Sequence, residues 1–219
     1  MSRIKSAITW FIAFALVTLC LLAGNWQLQK GLRLHDKNLL IAKNANSAPI
    51  LDPSEYDAKS DQWKKFELSG EFNKNFRLLK NQYQDGQFGF HVLQQFNSKS
   101  LGLITVDRGW VAAGKDARTA PVVPDINIAN DVIVVRLRSE ILNTHLGGSF
   151  FALPNTRKTT SEIYFDLISA KLNPPLTDLE LPNLSTGPHF AYAFQWALFA
   201  IAILIGRKIW GVKLNGKAD

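Results

Sequence analysis

The stretch AITWFIAFALVTLCLLAG, residues 7–24, carries no charged side chain. At about 1.5 Å of rise per residue, a helix of that length approaches the roughly 30 Å of a bilayer's hydrocarbon core. The pattern returns near the other end: FAYAFQWALFAIAILIG, residues 190–206, is equally free of charge. We read two transmembrane helices, residues 7–24 and 189–206, around a mixed, polar middle. Trp26 and Trp210 stand just beyond the runs, where indole rings favour the headgroup level. A cleaved signal peptide is the alternative for the first run. No small-x-small site follows cleanly, and Leu19 precedes Cys20 where a lipoprotein signal needs a small residue, so an uncleaved anchor is expected.

The basic residues set the orientation. Arg207, Lys208, Lys213 and Lys217 follow the second run, and the fifteen residues before it hold no Lys or Arg. This asymmetry predicts a cytoplasmic carboxyl end. The first run is ambiguous alone, with Arg3 and Lys5 before it and Lys30, Arg33 and Lys37 after it, but with two spans the second fixes the first. The expected layout is cytoplasmic tails at 1–6 and 207–219 and a periplasmic domain over 25–188 that opens with a juxtamembrane helix. Of the net charge of +7, most sits in the two tails, which hold six Lys or Arg against one Asp. The basic balance is a topology signal, and no nucleic-acid partner is expected. Only six residues precede the first run, too few for a transit peptide, so a bacterial inner membrane is expected. One cysteine builds no disulfide framework, and the middle must hold together by its core.

Leu28, Leu32, Leu39 and Leu40 recur at helical spacing, extending the first helix to about Asn46, where Ser47-Ala48-Pro49 breaks it. From Trp63 the period changes. Phe66 and Leu68 alternate with Glu67; Phe76–Lys80, Phe90–Leu93, Leu101–Val106 continuing to Val111, Val132–Leu137 and Phe150–Leu153 read as strands. Asp85-Gly86 and Asn97–Ser100 read as turns, Gly114–Pro124 as a loop and Ile163–Leu172 as a short helix. The fold class is a membrane protein of α+β type, with terminal helices flanking an antiparallel sheet or small barrel.

Catalytic signals are poor. There is no Gly-x-Ser-x-Gly elbow, phosphate loop, dinucleotide fingerprint or His pair at metal spacing, and an enzyme is not expected. Two constellations stand out. His189 follows Pro188, which suits the first turn of a helix. The positive end of the helix dipole favours neutral imidazole, the form that ligates iron. A wet interfacial His bonded to a carbonyl is the plainer alternative. Tyr192 and Trp196 lie near the same helical face and Gln195 on the adjoining one, a polar and aromatic stripe suited to other helices or a flat ligand. The second constellation is Asp107-Arg108-Gly109-Trp110-Val111 at a strand end. There Gly109 permits a bulge or tight bend, and Arg108 and Trp110 either join the core or present a docking surface.

Trp26-Gln27, Gly86–Leu93, Asp107–Val111 and His189 with Tyr192, Gln195 and Trp196 resemble, in order and spacing, the Surfeit locus protein 1 family. Departures are Asp107 and Ala112, where members often show Asn and Pro, and Gly187-Pro188, where many have an Asn pair. The resemblance implies an assembly factor for haem-copper terminal oxidases, chiefly cytochrome c oxidase, that helps deliver haem a to the largest subunit. His189 would touch the haem iron, with Tyr192, Gln195 and Trp196 around the cofactor and Arg108 and Trp110 toward a partner. Implied partners are the oxidase's largest subunit, the haem a synthesis machinery and membrane lipid. The alternative is a tethered scaffold that stabilises an oxidase subunit without binding haem.

Overall fold

The structure, a computed structural model, describes residues 2–116, 118–142 and 160–215. It divides into two compact units, Met1–Leu40 with Asn183–Asp219, and Ile41–Pro182.

The first unit is a helix pair. Helix α1 (Ser2–Ala45) runs unbroken for 44 residues, of which Ile41–Ala45 belong to the second unit. Helix α2 (His189–Asn215) has 27 residues, and both are long and apolar enough to cross a membrane. Small α1 residues make a seam for α2. A Cβ on Gly24 would lie 3.4 Å from the Trp196 Cβ, and one on Gly31 would lie 3.1 Å from the Phe190 ring. Ala13 and Cys20 continue that stripe and are buried, as is Ala200 on α2. Small residues let helices approach closely where the surroundings are as apolar as the helices themselves. The outer faces expose Phe11, Phe14 and Phe194 at 74%, 70% and 66%, which water would penalise and lipid would not. Cations meet indoles at both ends of the apolar stretch. Arg207 lies over Trp10 at 4.6 Å and Lys30 over Trp26 at 4.9 Å.

The second unit is a barrel. Its strands are β1 (Ile50–Leu51), β2 (Lys65–Gln84), β3 (Gln87–Ser98), β4 (Gly102–Ala112), β5 (Asp131–Leu142) and β6 (Thr160–Ala170). The order β1-β2-β3-β4-β6-β5, with β5 returning to β2, closes five strands into a ring. The β4–β6 contact is parallel and the other ring pairings are antiparallel. This is a five-stranded Greek-key barrel with the connectivity of OB-type folds. Asp85 and Gly86, at φ 51° and 76°, make the two-residue turn between β2 and β3, as the sequence predicts. The core is Phe66, Leu68, Phe96, Val106, Ile133, Val135, Leu137, Phe165 and Leu167, each at most 1% exposed. Phe66 and Phe165 meet edge to face at 6.1 Å.

Two readings of the sequence change. The expected strands near Phe66 and Phe76 are one strand, β2. It pairs with β5 over Lys65–Gly70, then with β3 from Gly70 onward, with irregular register between Phe72 and Phe76 and between Leu79 and Gln82. The expected helix Ile163–Leu172 is instead β6. Its Tyr164, Phe165, Asp166 and Leu167 are all buried, so the alternation that marks a half-buried strand is missing. Its aromatic and β-branched content and its hairpin with β5 decide the matter. The expected strand Phe150–Leu153 lies outside the described residues.

Candidate functional site

In the helix pair, Gly187 turns the chain at φ 61°, and the Pro188 carbonyl accepts the first helical bond from Tyr192 N at 2.9 Å. His189 is therefore the first residue of α2 and sits at the mouth of the helix pair, half-buried. Its Nδ1 lies 2.9 Å from Gln27 Oε1 on α1. With the amide oxygen as acceptor, Nδ1 carries the hydrogen and Nε2 keeps a lone pair. This is the arrangement by which an outer hydrogen bond fixes the tautomer of a metal-binding imidazole. Asn38 Nδ2 donates to the Leu184 carbonyl at 2.8 Å, tying α1 to the segment that leads into α2.

The other residues of the expected stripe divide. Trp196 is half-buried against Gly24 and meets Phe199 edge-on at 5.7 Å. Tyr192 and Gln195 are exposed on α2. The structure thus brings His189 together with Gln27, a residue noted in the sequence beside Trp26 but given no role there.

In the barrel, Asp107–Val111 forms the carboxyl-terminal end of β4, the strand end the sequence predicts. Opposite it, β3 advances from His91 to Leu93 while β4 runs from Trp110 back to Asp107, so β4 carries one extra residue. This is the bulge that Gly109 permits. Gly109 has φ 113°, and a Cβ there would come within 2.6 Å of Thr177 N. Asp107 closes the bulge: Oδ1 accepts from Gly109 N at 2.9 Å and Oδ2 lies 2.8 Å from His91 Nδ1. The Trp110 ring covers Gly89, where any Cβ would collide with it. Trp110 is half-buried.

Arg108 is only 3% exposed. Nη1 donates to Gln94 Oε1 at 2.9 Å and to the Pro124 carbonyl at 3.3 Å, whereas the buried Nε has no acceptor among the described residues. Burial pulls its pKa below the ordinary guanidinium value. A buried donor left without an acceptor costs about 1–3 kcal/mol.

A second buried charge group lies where β4 and β6 run parallel, with Asp107 paired to Asp166. Asp166 Oδ2 accepts from Arg136 Nη2 at 2.6 Å and from Arg138 Nη1 at 3.0 Å. Burial pushes the Asp166 carboxyl up, Arg138 and Arg136 pull it down, and Asp107 adds to the upward push. The segment after β6 straps this region. Leu176 N donates to the Arg108 carbonyl at 2.7 Å, Trp110 N to Thr177 Oγ1 at 2.8 Å and Arg136 Nη2 to the Leu179 carbonyl at 2.7 Å. Sequence reasoning missed this network, because its acid and bases sit in strands that pair only in the fold.

Comparison with known proteins adds the family. A model described as the SURF1 family matches residues 14–201. Uncharacterized SURF1-like proteins of Mycobacterium bovis and of two Mycobacterium tuberculosis strains are each 25% identical over 220 residues, covering 89% of this chain and 78% of the relative.

Proposed function

The chain belongs to the SURF1 family, and from that premise we propose that it is a membrane-anchored assembly factor that holds haem a in transit to the largest subunit of cytochrome c oxidase. The family is associated with assembly of that oxidase and consists of assembly factors rather than enzymes. The observation that carries the haem reading is the 2.9 Å contact between Gln27 Oε1 and His189 Nδ1. In the neutral imidazole it leaves the Nε2 lone pair as the donor that would hold haem iron at one end of an apolar helix pair, and the residues present fit a single-ligand haem site. Exposed Tyr192 and Gln195 lie three and six residues beyond His189 on α2 and would supply polar and aromatic contacts to a flat macrocycle. Haem, when bound, supplies the iron that the imidazole ligates. The protein's own part is to orient one donor and shield one face. A single protein ligand suits a carrier that must release its cargo.

The test is an absorption spectrum of the detergent-purified protein from cells that make haem a. A Soret band that co-purifies at matched protein is expected. A colourless protein that still restores oxidase assembly would overturn the haem reading in favour of the scaffold.

We place both termini in the cytoplasm and the barrel in the periplasm. The support is the cluster of Arg207, Lys208, Lys213 and Lys217 after the second apolar run and the absence of Lys and Arg just before it. A reporter active only in the cytoplasm should give signal when fused after Asp219 and none when inserted at Val122, an exposed loop position. The reverse pattern would invert the topology.

A further inference from the structure

We propose that the barrel carries a binding cleft of its own, centred on Arg108, that takes a carboxylate borne on a small apolar body. This site does not rest on the haem reading, since every residue in it belongs to the barrel unit.

The cleft begins with an irregularity in β2. Between Phe72 and Phe76 the register with β3 slips, so residues 73–75 face a single β3 residue, Gln95. Gln94, 2% exposed, answers the displaced backbone: Nε2 donates to the Asn73 carbonyl at 2.6 Å. That bond orients the amide so that Oε1 accepts from Arg108 Nη1. The Pro124 carbonyl takes the second Nη1 bond. Two acceptors therefore hold the guanidinium by one nitrogen only.

The rest of the guanidinium is unspent. Among the described residues Nε is buried without an acceptor, and both of Arg108's side-chain hydrogen bonds leave from Nη1. Nε and Nη2 form the side of a guanidinium that a carboxylate meets with two parallel hydrogen bonds. No salt bridge reaches Arg108 from the described residues. Desolvation lowers its pKa, as expected of a buried cation with no counter-ion among the described residues.

Arg108 lines a cavity of about 390 Å³ with Lys74, Phe76, Gln94, Asp125 and the apolar side chains of Val123, Pro124 and Ile126. That volume lies at the lower end of small-molecule sites. Phe76 is 45% exposed and offers an aromatic surface to the cavity. The charge set favours a monoanion. One cation is buried, Lys74 adds a second at an exposed position, and exposed Asp125 opposes further negative charge. A phosphate dianion would meet that carboxylate, whereas a carboxylate on an apolar body satisfies Arg108 and covers Phe76.

The test uses the full chain in detergent with 4-phenylbutyrate as probe. Its neutral amide, acetate and inorganic phosphate are the comparisons. Arginine side-chain NMR reports on the Arg108 Nε–H, assigned by its absence in Arg108→Lys. We expect 4-phenylbutyrate to shift that signal saturably. The amide, acetate and phosphate should each need at least tenfold higher concentration. Arg108→Gln should abolish saturable binding measured by calorimetry. Because that variant alters a buried group, Phe76→Ala serves as an exposed second variant, expected to weaken binding several-fold with unfolding unchanged. Equal binding of acid and amide, tighter binding of phosphate, binding untouched by both variants, or no saturable binding at all would each overturn the proposal.

Discussion

His189→Ala should leave the protein inserted and folded but strip it of haem. The imidazole hydrogen-bonds only Gln27 among the described residues, and the α1–α2 seam rests on contacts that the change keeps, at Gly24 with Ala193 and Trp196 and at Gly31 with Phe190 and the His189 Cβ. The first helical bond of α2, Tyr192 N to the Pro188 carbonyl, uses no side chain and survives the change. The loss should therefore appear in the Soret band and not in protein abundance. His189→Met should retain part of the band, since a thioether also serves as an axial ligand. Gln27→Leu isolates the orienting bond: losing an outer partner of this kind typically costs about 10–100-fold in metal affinity. His35 lies on α1 eleven residues beyond Gly24, about 16 Å along the helix axis, and His35→Ala should change little. Full haem retention in His189→Ala, at matched protein, would remove the ligand role.

That Gln27 was not given a role in the sequence has a physical reason. It lies 162 residues from His189, and only the antiparallel packing of α1 on α2 makes them neighbours. The apolar helices themselves were legible because hydropathy is a local property that needs no partner. So was the turn at Asp85-Gly86, whose positive φ values demand those residue types. A small barrel was one of the two expected forms, beside an antiparallel sheet, but its strand order was not legible, since that order depends on β5 returning to Lys65–Gly70 of β2 and on the parallel step from Val106-Asp107 to Phe165-Asp166. β6 failed as a strand in the sequence for the same cause. Buried on both faces by its neighbours, it needs no polar alternation, and without alternation a short apolar run looks like a helix. The Asp107–Val111 motif stood out as chemistry, and the structure splits its members. Asp107 and Gly109 build the bulge, Trp110 covers Gly89, and Arg108 alone keeps unspent hydrogen-bonding capacity.

Asp166→Ala should destabilise the barrel by about 3–5 kcal/mol, a large share of the roughly 5–15 kcal/mol that holds a typical domain together. The carboxylate is 1% exposed and accepts from Arg136 through both Nε and Nη2, at 3.1 and 2.6 Å, and from Arg138 at 3.0 Å. Removing it leaves two cations facing each other with their shared acceptor gone. Arg136 Nη2 would keep its bond to the Leu179 carbonyl, and both guanidinium groups would keep the face of Trp63, at 5.3 and 4.2 Å. Those contacts moderate the loss, because an indole face attracts a cation but supplies no acceptor to it. Lys64→Gln is the control. Its ion pair with Asp61 at 2.7 Å is partly exposed and lies within the turn before β2, so its removal should cost about 0–1 kcal/mol. Denaturant unfolding of the full chain followed by tryptophan fluorescence reads both variants, since Trp63 sits on the affected cations. A midpoint for Asp166→Ala no lower than that of Lys64→Gln would show that the arginines find other partners. If the destabilisation appears, the paired change Asp166→Leu with Arg136→Met should recover part of it, because it removes the carboxylate and the more buried of its two cations and leaves Arg138 on the face of Trp63. Recovery of stability without recovery of oxidase assembly would then assign the strapped face of β4, β5 and β6 a role beyond holding the barrel together.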